Sequence, residues 1–106
     1  MINYEDFQKL DIRIATVLEA EPVPETTKLL KLKVDIGDEL RVLVAGIAET
    51  YKSEDIIGKQ IPILINLEPR IIKGIESNGM ILAVDVDGKA ILLHPDQKII
   101  NGSKIR

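Results

Sequence analysis

The chain contains no cysteine and no tryptophan in 106 residues. Without cysteine there is no disulfide framework, no thiolate metal site and no cysteine nucleophile. Aromatic residues stop at Tyr4, Phe7 and Tyr51. None falls in an expected strand, so bases have no strand platform of rings to stack on. Positive charge is not in excess either, with 14 Lys and Arg against 17 Asp and Glu and a formal net charge of −3. That excludes nucleic-acid binding by bulk charge and leaves only a local basic patch on an acidic body. No apolar run approaches the roughly 18 residues of a membrane span. Glu5 and Asp6 stand where a signal peptide would be basic and then apolar. A cytoplasmic location without membrane partners is expected. His94, the only histidine, precedes Pro95 and has no Ser–His–Asp or metal spacing around it. Neither a P-loop nor GxGxxG occurs, so no cofactor and no catalytic residue is expected.

What is present is 45% hydrophobic and 29% charged, the balance of one soluble domain over residues 1–106. Asn3 can cap a short helix over Tyr4–Lys9, with Phe7 and Leu10 packing as a lid. Alternation predicts strands over Asp11–Glu19, Lys28–Asp35 and Glu39–Ala45, the last two joined by a turn at Gly37-Asp38. Ser53, followed by Glu54 and Asp55, predicts a second short helix stopped by Gly58. Further strands are expected over Gln60–Leu67, Met80–Val86 and Ala90–Leu93. Asp85, Asp87 and Gly88 lack the remaining ligands of a calcium loop, and Asp87-Gly88 reads as a hairpin turn. Three strands, a helix and two more strands are the order of the five-stranded OB-fold barrel, an all-β class. Residues 1–10 would be the N-terminal helix, 11–86 the barrel and 87–106 a C-terminal extension.

The stretch Asn66–Ala83 carries most of the functional signal. Pro69 ends sheet pairing, Gly74 and Gly79 permit positive φ, and loops on a rigid sheet are where binding residues concentrate. Arg70 and Lys73 are candidate phosphate contacts, with ion pairing to Glu68 and Glu76 as the competing reading. Asn66, Ser77 and Asn78 have the donors and acceptors that reading bases or 2′-hydroxyls requires; turn residues look the same. Lys28, Lys31 and Lys33, with Arg13 and Arg41, form either an outer basic stripe or an ordinary solvated face diluted by Asp35 and Glu39. Ile99, Ile100 and Ile105 exceed what a five-stranded barrel needs, and either close its end or form a subunit interface.

The block Asn66-Leu-Glu-Pro-Arg70, then Lys73-Gly74, then Glu76-Ser77-Asn78-Gly79-Met80-Ile-Leu-Ala resembles the signature of the OB-fold tRNA-binding domain. That domain ends many methionyl-tRNA synthetases and also occurs as a free-standing subunit or homodimeric tRNA-binding protein. Asp11-Ile-Arg13, Lys28-Leu-Leu30, Val34-Asp35, Gly46-Ile47-Ala48 and Gly102-Ser103-Lys104 extend the resemblance over almost the whole chain. The family commonly has Gln at Asn78, Lys at Glu68 and a basic residue at Ile71. The resemblance implies a non-catalytic tRNA binder, acting in trans as the beta subunit of methionyl-tRNA synthetase, because 106 residues are too few for an aminoacylation domain. It implies tRNA contacts at Lys28, Lys31, Asn66, Arg70, Lys73, Ser77, Asn78 and Met80, and a symmetric homodimer. A related branch, a dimeric export chaperone of this fold that binds unfolded polypeptides, lacks the Glu-Ser-x-Gly-Met element; it is the alternative.

Overall fold

A computed structural model describes all 106 residues, and its organising element is one long strand shared by two halves of a curled sheet. Strand β1 (Ile12–Pro22) pairs antiparallel with β4 (Gln60–Leu64) through Ile12–Thr16 and with β2 (Leu30–Asp35) through Thr16–Pro22. A register shift between Val17 and Glu19 bends it, as an extra residue in one strand does. Strand β3 (Leu40–Ala45) forms a hairpin with β2, and β7 (Met80–Ile81) extends the sheet beyond β4 to give the order β3-β2-β1-β4-β7. Alternation puts Leu30, Leu32 and Val34 of β2 inside, with Ala15 and Val17, Leu43 and Ala45, and Ile61 and Ile63. This is the all-β curled barrel that the strand order predicts.

The curl closes between β3 and β6 (Ile75–Ser77). The Asn78 backbone N–H donates to the Val42 carbonyl at 2.9 Å. One rung further along, the Val44 N–H donates to the Ser77 hydroxyl at 3.0 Å, so a side chain completes a ladder that the backbone leaves open. Ser77 is 5% exposed. Ser77→Ala would orphan a buried N–H, and should cost about 1–3 kcal/mol in a denaturant titration. A variant of unchanged stability would show that this bond does not hold the seam.

Several expectations are corrected. The first helix, α1 (Tyr4–Gln8), is capped by Asn3 Oδ1 accepting from the Asp6 N–H at 2.9 Å, but it buries no residue. Phe7 is only partly covered and Leu10 is exposed, so they form no lid. The second helix, α2 (Ser53–Ile56), begins one residue early, with Lys52 as cap and the Asp55 carboxylate accepting from its N–H. Strand β4 ends at Leu64 rather than Leu67. The expected strand Met80–Val86 breaks at Leu82, whose N–H donates to the Pro62 carbonyl at 3.1 Å. Pro62 has no N–H to return, so the ladder stops there. The chain then leaves as β8 (Ala83–Val86), which pairs only with β9 (Lys89–Leu92) through a turn with Asp87 and Gly88 both at positive φ.

The C-terminal segment covers the edge of β1 that β2 leaves free. Gly102 N–H donates to the Ile14 carbonyl, Ile14 N–H to the Ser103 carbonyl and Ile105 N–H to the Ile12 carbonyl, at 2.7–3.0 Å. Gln60 anchors the same segment, donating to the Ile99 carbonyl and accepting from the Ile99 N–H. Asn101 Oδ1 accepts from Thr16 Oγ1 and Gln60 Nε2. An otherwise open strand edge is thereby paired.

Candidate nucleic-acid interface

Residues 68–79, expected as loop between strands, hold a small hairpin of β5 (Arg70–Ile72) and β6. Lys73 and Gly74 turn it with φ of 52° and 79°. Positive φ at both central residues is the geometry of a type I′ turn. Gly favours the second position, but Lys at the first is a weak turn signal, so the residue pattern does not reveal the hairpin.

Arg70 and Lys73 are exposed and paired to no carboxylate; Glu68 and Glu76 form no ion pair either. The competing reading of ion pairing within the loop therefore does not hold. The opposite is true of the outer stripe. Lys31 lies 3.7 Å from Glu21 and Lys33 lies 3.3 Å from Glu19, because the β1–β2 register sets those residues side by side. Arg13 pairs with Asp11 at 2.9 Å and Arg41 with Glu39 at 2.8 Å. Exposed pairs of this kind add little stability, but each sets a carboxylate beside its cation and so weakens the attraction the stripe offers an anion. Lys28 alone of the stripe is exposed and unpaired, in the loop before β2.

The polar candidates divide. Asn66 uses its whole amide at home, Oδ1 accepting from the Asp11 N–H at 2.9 Å and Nδ2 donating to the Lys9 carbonyl at 2.7 Å. It ties the end of α1 to the end of β4. The Ser77 hydroxyl is engaged at the barrel seam. Asn78 is half-buried, and its side-chain amide has no partner in the chain. Met80 is exposed. Beside Asn78, β3 and the segment before β5 bound a groove of about 580 Å³ lined by Leu40, Val42, Ile65, Leu67 and Arg41, with Pro69 and Glu39 at its margin. Arg41, grouped with the stripe in the sequence, belongs to this groove.

Asp11, at the root of the site, has its carboxyl held below the ordinary 3.8, first by the hydrogen bonds from Arg13 and then by the charges of Arg13, Lys104 and Arg41, against a desolvation that raises it. A lowered folded pKa contributes stability that is complete above the ordinary value and is lost as pH falls below it. Asp11→Asn removes that contribution. The melting-temperature gap between wild type and variant should therefore shrink from about pH 5 to about pH 2. A gap constant across that window would show the pair to be inert.

The sequence from Ile12 to Lys104 matches the family model "Putative tRNA binding domain". The chain belongs to this tRNA-binding domain family. A methionine–tRNA ligase of Archaeoglobus fulgidus is 53% identical over 104 residues, which are 98% of this domain and 16% of that protein. The domain spans 14–16% of the length of the curated ligases it matches, and only this part of them is matched. Among solved structures, a MetRS-related protein from Pyrococcus horikoshii superposes with a TM-score of 0.95 at 33% identity, covering 100% of this chain and 98% of that one. The chaperone CsaA of Bacillus anthracis str. Ames superposes at 0.92 with 37% identity, covering 100% and 99%. No helix of the tRNA-binding domain is long and apolar enough to cross a membrane.

Proposed function

We propose that this protein binds folded tRNA through the β5–β6 hairpin and serves methionyl-tRNA synthetase in trans, as its separate tRNA-binding subunit, in the cytoplasm. The observation that carries the reading is the pair of uncompensated cations, Arg70 and Lys73, raised on an ordered hairpin of an otherwise acidic body. Lys28 adds a third free charge, Lys31 a partly neutralised one, and Met80 an exposed apolar side chain. Such cations position a nucleic-acid backbone without reading its sequence. Asn66 and Ser77 support the site from behind rather than touch RNA. A separate subunit would act by raising the effective concentration of tRNA at the synthetase.

A symmetric homodimer is part of the proposal. Ile100 is 84% exposed, and Val84, Val86, Ile91 and Leu93 are exposed on and beside the β8–β9 hairpin. Ile99 and Ile105 are half-covered, and their backbone groups are engaged with Gln60 and β1, so they contribute less surface than Ile100. Similarity to CsaA keeps a second reading, a chaperone for unfolded polypeptide. Native mass measurement with and without bulk tRNA decides between them. Twice the chain mass, increased by tRNA and released by salt, is expected. A species unaltered by tRNA that takes up an unfolded polypeptide would replace the tRNA reading with the chaperone one.

A further inference from the structure

Of the three uncharged polar side chains in the Asn66–Asn78 strip, only that of Asn78 is left for an outside partner. Its backbone is fixed by the bond to Val42, and its side chain lines the groove formed by Leu40, Val42, Ile65 and Leu67. Arg41 lines the same groove and is clamped along its edges. Nη1 donates to the Ile65 carbonyl at 2.6 Å, and Nε and Nη2 donate to Glu39 Oε1 at 3.2 and 2.8 Å. The guanidinium is tethered by its edges, and 23% of the side chain stays exposed. The volume, about 580 Å³, lies in the range of small-molecule sites, but the groove is open to solvent and sets Glu39, Arg41 and Asn78 among its apolar residues.

We infer that this groove receives one unstacked nucleobase of the bound RNA, adenine by preference. The inference rests on the tRNA-binding reading above and deepens it. Bases splayed from RNA loops are held on aromatic rings or on arginine planes and read along their edges. This chain lacks aromatic strand residues, and the clamped Arg41 supplies the flat surface instead. The Asn78 amide sets a donor beside an acceptor, which complements the adjacent amino group and ring nitrogen of adenine. Pro69 borders the groove and Arg70 follows it, unpaired. A base in the groove therefore sets its phosphate toward Arg70.

The test uses the whole chain. AMP, CMP, GMP and UMP are titrated while the Asn78 side-chain amide and the Leu40 and Leu67 methyls are followed by NMR, and AMP should move them most. Asn78→Ala should weaken bulk tRNA binding about tenfold, with the unfolding midpoint and the salt dependence unchanged. Arg41→Lys, which keeps the charge and loses the plane, should weaken it too. The inference is overturned if Asn78→Ala binds tRNA as wild type does, if AMP leaves those signals in place, or if an unfolded polypeptide displaces AMP from them. Wild type that retains no tRNA at all would bring down the function reading, and this one with it. Wild type that binds tRNA indistinguishably from Asn78→Ala brings down only the base pocket.

Discussion

Removing Arg70 and Lys73 together, as an alanine double variant, should reduce tRNA affinity by about a hundredfold to ten-thousandfold at low salt. A hydrogen bond to a charged group contributes roughly 1.5–3 kcal/mol, and two are lost. The salt dependence should change with it. Each phosphate contact releases counterions worth about 0.7–0.9 in the slope of log affinity against log salt. The double variant should therefore lose about 1.4–1.8 of that slope. Both side chains are exposed and hold no partner, so thermal stability should not move. Lys31→Ala is the control, since Glu21 already offsets that charge. A filter-binding series in which the double variant retains tRNA like wild type, or loses no more than Lys31→Ala does, ends the assignment of the hairpin as the contact surface.

Gly102→Ala should lower stability by about 2–5 kcal/mol, and the melting temperature by at least about 8 °C. Gly102 has φ of +90°, and a Cβ there would sit 2.5 Å from the Ile36 carbonyl oxygen. Gly37 answers from the other side, with φ of +103° and a Cβ position 2.6 Å from the Asn101 carbonyl oxygen. The tip of the β2–β3 hairpin and the C-terminal segment thus meet glycine to backbone. The left-handed conformation costs an L-residue roughly 1–2 kcal/mol, and overpacking adds roughly 1–3. Gly46→Ala, where φ is not positive and nothing lies within 4 Å of the added carbon, should be nearly silent. Calorimetry showing equal melting for the two variants would remove this contact from the account of stability.

What the sequence makes legible is whatever adjacent residues decide. The alternation of Leu30, Leu32 and Val34, the Asn3 cap and the Asp87-Gly88 turn are each read from a few neighbours, and each is as expected. What it hides depends on distant partners. The break at Leu82 is imposed by Pro62 on another strand. The neutralising of Lys31 and Lys33 requires the β1–β2 register, bulge included. Asn66 looks free until the N-terminal helix, 57 residues away, is placed against it. The candidate site follows the same division. Arg70 and Lys73 stand out by local pattern, whereas Arg41 joins Asn78 only once β3 has closed on β6.

The seam between β3 and β6 has a thermodynamic corollary. Ser77, which completes it, lies in register with Arg70 on the paired strand. An anion gripped by Arg70 favours the closed form over any form in which the hairpin has lifted away, and a ligand that prefers one state deepens it. The Val44 amide proton should therefore exchange with deuterated solvent more slowly once RNA is bound. That one proton can report occupancy from inside the barrel, without a label on either molecule.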